Sequence, residues 1–69
     1  MYFYQRIREL REEKKESQKA IAEILGTTQQ HYYLYESGKR EIPLHLAAIL
    51  ADFYGVSLDY IAGRSDSRN

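Results

Sequence analysis

The sequence predicts an all-α, compact five-helix domain, and three observations predict it. Apolar residues recur at helical spacing in each long segment. Ser17, Thr28 and Ser57 stand where helix N-caps are needed, and Gly26, Gly38, Gly55 and Gly63 stand where helices must stop.

Taken in order, Phe3, Ile7, Leu10 and the stem of Lys14 give a first amphipathic helix, with Arg6, Arg8, Glu9, Glu12, Glu13 and Lys15 between them. Ser17 caps a second helix of about two turns, Gln18 to Leu25, that Gly26 ends. Thr28 caps a third, Gln29 to Ser37, that Gly38 ends before a basic loop, Lys39-Arg40. Pro43, the one proline, marks the entry to a fourth helix whose apolar face is Leu44, Ala47, Ala48, Leu50, Ala51 and Tyr54. Ser57 caps a last short helix, Leu58 to Ala62, closed by Gly63. The domain is expected to span residues 1–63, with a flexible C-terminal tail at 64–69 that frays. The expected core joins Ile7, Leu10, Ile21, Ala22, Leu25, Tyr32, Tyr35, Leu50, Val56, Leu58 and Ile61.

Composition bounds the function. A chain of 69 residues holds one domain, and without cysteine it has neither disulfides nor thiolate metal ligands. No apolar run reaches the roughly 18 residues of a membrane span, and charges interrupt Met1 to Leu10 where a signal peptide is apolar. A cytoplasmic location is expected. Ten Lys and Arg balance ten Asp and Glu, so net charge by itself gives no nucleic-acid signal. The balance is uneven, because residues 1–40 carry eight basic and six acidic side chains while 41–69 carry two and four. One face can therefore still meet phosphate.

The informative stretch is 18–38: a short helix, a glycine turn and a second helix, with Ala22 where the two cross and Gly26 supplying positive φ. That pattern alone also fits a generic helical hairpin. Around it stand Arg6 to Lys14, Ser17-Gln18, Ile21-Ala22, Leu25-Gly26, Tyr35-Glu36-Ser37-Gly38-Lys39-Arg40 and Ala51 to Tyr60. Together these resemble the Xre, or phage Cro and repressor, family of helix-turn-helix proteins over nearly the whole chain. Gly26-Thr27-Thr28-Gln29-Gln30 is similar to the start of the recognition helix in lambdoid phage repressors.

The resemblance implies a lambda-repressor-like fold that presents its third helix, about 28–37, to the major groove of double-stranded DNA, usually as a dimer. It turns Thr28, Gln29, Gln30 and Leu34 toward base edges. A glutamine amide donates and accepts at once, as the N6 and N7 edge of adenine requires, and Thr28 or Leu34 suits a thymine methyl. Gln18, Ser37, Lys39 and Arg40 match phosphate-holding positions, and Tyr33, on the outward side, is expected to reach phosphate as well. Arg11 and Glu36 match a structural salt bridge between the first helix and the end of the third. The chain departs from the family where Tyr32 replaces a branched aliphatic core residue and where Leu34 occupies a place often polar; Tyr32 and Tyr35 are expected as core or rim aromatics with wet hydroxyls.

Catalysis is not expected. The histidines, His31 and His45, have no triad partners near them in sequence, and no metal-binding or phosphate-cradling motif occurs, so neither metal nor cofactor is implied. The expected activity is that of a transcriptional regulator, a repressor, acting as a homodimer on an inverted-repeat operator, with Tyr60 and Ile61 as the expected contact whether the copies pair in solution or only on DNA. The rival is a protein-interaction module of the same fold, such as an antitoxin-like partner, which seven tyrosines and zero net charge keep open.

Overall fold

A computed structural model describes all residues, 1–69. Five helices follow in the order α1 (Phe3–Glu13), α2 (Gln18–Leu25), α3 (Gln29–Glu36), α4 (Leu44–Tyr54) and α5 (Leu58–Ile61), and no strand forms. The starts of α2, α3 and α5 are fixed by hydroxyl caps: Ser17 Oγ accepts from Ala20 N–H at 3.0 Å, Thr28 Oγ1 from His31 N–H at 3.1 Å, and Ser57 Oγ from Tyr60 N–H at 3.0 Å.

The helix ends share one device. At α2, the Thr27 N–H donates to the Ala22 carbonyl at 2.9 Å, and Gly26, at φ 71°, makes the left-handed turn that allows it. At α3 the same bond runs from Lys39 N–H to the Leu34 carbonyl at 3.0 Å. Helix α1 ends in this way too, with Glu16 N–H donating to the Arg11 carbonyl at 3.1 Å, but there the left-handed residue is Lys15, at φ 57°.

Helix α2 lies on α3, α1 crosses α3 and α5, and α4 packs on α2 and α5. Between them one cluster joins Ile7, Leu10, Ile21, Ala22, Leu25, Tyr32, Tyr35, Leu50 and Ile61, as the sequence predicts. Two expected members are corrected: Val56 is only partly buried, and Leu58 is 38% exposed. Their places go to Leu46, Ala47, Ala51 and Tyr60. Register accounts for these: with Pro43 as N-cap, α4 turns Leu46, Ala47, Leu50 and Ala51 inward as one stripe and leaves Leu44 74% exposed, while the short α5 turns Tyr60 and Ile61 inward and Leu58 outward.

Arg6 is buried as well. Its guanidinium carbon stacks 3.8 Å from the centre of the Tyr60 ring, while its nitrogens reach the Ser65 carbonyl at 3.4 Å and the Asp66 carboxylate at 3.5 Å. Residues 64–69 lie back along the domain, where Arg68 donates to the Tyr60 hydroxyl at 3.2 Å and pairs with Glu13 at 2.6 Å. Ser57 N–H donates to the Arg68 carbonyl at 2.7 Å.

Candidate nucleic-acid interface

The surface that the sequence singles out is built by α2, α3 and the turn after α3. Ala22 of α2 is buried, and α2 packs on α3. On α3, Tyr32, Tyr35 and Glu36 point inward, and that anchoring turns Gln29, Gln30, His31 and Tyr33 outward to solvent with Leu34 half-buried beside them.

Gln18, Gln29, Gln30, His31, Tyr33 and Leu34 surround an open hollow of about 600 Å³. It brings together three of the four residues expected at base edges. Thr28 stands at the start of α3 as its cap: its hydroxyl oxygen accepts from the His31 N–H, which leaves its O–H donor and its methyl group free. The hollow therefore offers amide groups that donate and accept, together with one apolar flank, and this is the mixture that base edges in a major groove require.

A second, more polar cavity of about 280 Å³ adjoins it, and Gln18 and Tyr33 line both. Ser37, Arg11, Glu36 and Arg8 complete the second cavity. Three residues expected at phosphates, Gln18, Tyr33 and Ser37, thus converge, while Lys39 and Arg40 stand exposed on the turn that follows α3. Lys39 Nζ lies 5.8 Å from the Tyr33 ring centre. Arg8 and His31 are additions to the expected set. Arg8 was legible in principle, since it precedes Arg11 by three residues and so shares its helix face.

Arg11 and Glu36 form a bidentate pair. Arg11 Nη2 lies 2.7 Å from Oε1 and Nε 2.9 Å from Oε2, while Nη1 donates to the Glu16 carbonyl at 2.9 Å. Gln18 Nε2 donates to Oε1 at 3.3 Å. Burial alone would push the Glu36 carboxyl up, but the bonds from Arg11 and Gln18 outweigh it and hold it below its ordinary value. The Tyr32 hydroxyl is not wet as expected: the whole side chain is buried, and burial together with the nearby Glu36 charge drives its pKa far up. Tyr54, half-buried on the same side, is pushed up to about 12, chiefly by burial.

Tyr60 and Ile61, expected to make the contact between copies, are both buried within the chain, Tyr60 beneath Arg6 and Arg68. The apolar groove that remains open on this side lies between α1, α4 and α5. Phe3, Ile42, Ala47 and Ala62 line it, and the exposed Leu44 and Leu58 flank it. No helix is long and apolar enough to cross a membrane.

A family described as helix-turn-helix matches residues 7–61. Among curated proteins, the chain is similar to three of Bacillus subtilis (strain 168). It is 39% identical over 64 residues to the uncharacterized HTH-type transcriptional regulator YobD, covering 93% of this chain and 57% of that protein. It is 39% identical over 59 residues to the SPbeta prophage-derived uncharacterized HTH-type transcriptional regulator YonR, covering 86% of this chain and 55% of that one. It is 36% identical over 63 residues to the HTH-type transcriptional regulator AnsR, covering 91% and 54%. The chain thus spans a little over half the length of these relatives. No solved structure matches it.

Proposed function

This chain belongs to the Xre-type helix-turn-helix family, and from that premise we propose that it binds double-stranded DNA in a sequence-specific way and regulates transcription. The observation that carries the reading is the outward face of α3. Gln29, Gln30 and Leu34 line one hollow while Tyr32, Tyr35 and Glu36 lock the helix from behind, so an amide-rich face is held rigid at the surface. The relatives' names support the regulatory half of the reading.

In this reading α3 enters the major groove, with Thr28, Gln29, Gln30 and Leu34 at base edges. Gln18, Tyr33, Ser37, Lys39 and Arg40 hold flanking phosphates and set the register without reading sequence. Regulation is by repression: occupancy of an operator that overlaps a promoter blocks transcription and needs nothing beyond this surface. The reading puts the protein in the cytoplasm with its DNA. One α3 spans only a few base pairs, and a chain of zero net charge draws limited affinity from phosphate, so the working form is a symmetric pair on an inverted repeat. Leu44, the most exposed large apolar side chain, stands beside a groove of about 240 Å³, and in a two-fold pair the Leu44 of each copy fills the groove of the other.

Selection of bound sequences from a random duplex library tests the proposal. An enriched inverted repeat is expected, with affinity that falls as salt rises. Failure to bind any duplex at low salt would reject it in favour of a protein-interaction role.

A further inference from the structure

Arg8 and Arg11 share one face of α1, but their circumstances differ. Arg11 is 15% exposed, and its donors are committed to Glu36 and to the Glu16 carbonyl. The Arg8 side chain is 64% exposed, and its ionic partner is Glu12, one helical turn away at 3.6 Å and 57% exposed. A pair of that kind is worth little in water and yields readily to a stronger anion.

Both arginines line the polar cavity beside the base-reading hollow. Its one carboxylate, Glu36, is neutralised by Arg11, so two guanidinium groups against one carboxylate leave a single excess positive charge, carried by Arg8. Around that charge stand the Gln18 amide, with one N–H directed to Glu36 and a second to offer, and the Tyr33 side chain at the rim. A phosphodiester carries one negative charge and oxygens that accept several hydrogen bonds, and guanidinium suits it in shape as well as charge.

We propose that Arg8 supplies the positive charge of this cavity and joins Gln18, Tyr33 and Ser37, already assigned to phosphate, on one phosphodiester of the DNA backbone. The proposal rests on the DNA-binding reading above and adds to it a residue of α1, outside the helix-turn-helix. Because Gln18 and Tyr33 line both cavities, a phosphate held here lies next to the bases that α3 reads, which fixes the register of the helix in the groove. Glu12 then acts as an intramolecular competitor that holds Arg8 in the absence of DNA.

The experiment measures duplex affinity across a salt series for the wild type, Arg8→Gln, Arg8→Lys and Glu12→Gln. Arg8→Gln should lower the salt slope of log affinity by about one unit, so that the wild-type advantage shrinks about three-fold when salt rises about four-fold. Arg8→Lys should keep the slope, and Glu12→Gln should bind more tightly than the wild type. Replacing backbone phosphates one at a time by neutral methylphosphonates should reveal one position that weakens the wild type several-fold more than it weakens Arg8→Gln. That position-specific loss separates a phosphate contact from a fault in folding. An unchanged slope in Arg8→Gln, or equal slopes for Arg8→Lys and Arg8→Gln, would overturn the assignment while the DNA-binding reading stands. Absence of duplex binding by the wild type would remove both.

Discussion

Arg11 of α1 grips Glu36 at the end of α3 through two guanidinium nitrogens, at 2.7 and 2.9 Å, and so ties the helix with the outward glutamines to the first helix of the domain. The carboxylate is buried, so removal of its partner leaves an uncompensated charge in the interior. Arg11→Ala should cost about 3 kcal/mol. A core of this size supplies a net roughly 3 to 5 kcal/mol, so the variant should retain only about 0 to 2 kcal/mol and unfold at much lower urea than the wild type. Adding Glu36→Gln to Arg11→Ala should recover part of the loss. Urea denaturation followed by circular dichroism checks both, and a stable Arg11→Ala would contradict the role given to the pair.

The same carboxylate links folding to pH. Burial raises the Glu36 pKa, but the hydrogen bonds from Arg11 and Gln18 bring it below the ordinary value. A depressed pKa in the folded state means that the unfolded chain takes up the proton first. The contribution to stability is therefore complete above the ordinary carboxylate range and is lost as pH falls through the folded-state value. Urea midpoints should decline as pH drops below about 4.5, the ordinary value, and Glu36→Gln should flatten that decline. Glu13, also lowered by its bond to Arg68, is fully exposed and should add little. An equally steep decline in Glu36→Gln would show that other groups govern the acid limb.

Three left-handed positions make distinct predictions. Gly26 has open space where a Cβ would go, so Gly26→Ala meets only the backbone cost of φ 71°, about 1 kcal/mol. Gly38 has the Tyr4 ring 2.8 Å from that point, so Gly38→Ala should cost more than Gly26→Ala, because the ring must also move. Lys15 bears the same backbone strain already, and Lys15→Gly should stabilise the chain by up to about 1 kcal/mol. Thermal melts of the three variants test the order, and a destabilised Lys15→Gly would reverse the argument.

These positions also show what the sequence made legible. Gly26 and Gly38 announced the ends of α2 and α3 because a residue without Cβ is the cheapest way to a left-handed turn. Lys15 gives no such notice, and the sequence does not mark the end of α1. The register of α5 was not legible: four residues are too few to define a face, so Leu58 was assigned to the core that Tyr60 occupies. Nor was the burial of Arg6, since a charge among charges reads as solvated until the Tyr60 ring arrives from the far end of the chain. Residues of the candidate site drawn from α3 lay together in sequence, whereas Arg8 joins them only through tertiary packing.

Reading and holding should separate in binding experiments. Gln29 and Gln30 project from α3 into the open hollow without supporting the core, so Gln29→Ala or Gln30→Ala should leave stability unchanged. Each should lose roughly 1 to 3 kcal/mol on the preferred site and relax base preference there. Lys39→Ala and Arg40→Ala should instead weaken all duplexes alike and reduce the salt slope by up to about one unit each. Equal losses on every sequence from the glutamine variants would remove them from the base edges.

The oligomeric form on DNA can be tested through Leu44. Its side chain is 74% exposed and contributes little to the fold, so Leu44→Glu should leave the melting temperature nearly unchanged. If two copies meet with each Leu44 in the other's groove, the charge would be forced among Phe3, Ile42, Ala47 and Leu58 and would break the contact. The contact surface is small, so the wild type should be mainly monomeric in solution and pair on DNA, where the operator holds both copies close. Glu41 and Ile42, in the loop after α3, line the groove, so a pair that meets there sets the spacing of its two recognition helices. Two such helices must lie about one DNA turn, roughly 34 Å, apart on an inverted repeat. Analytical ultracentrifugation should find two wild-type chains on the inverted repeat, bound more tightly per site than on a single half-site in a duplex of equal length. Leu44→Glu should bind both duplexes with the same affinity per half-site. One wild-type chain per duplex at saturation, with equal affinity for the two, would exclude the pair altogether, and an unaltered preference for the inverted repeat in Leu44→Glu would move the contact elsewhere.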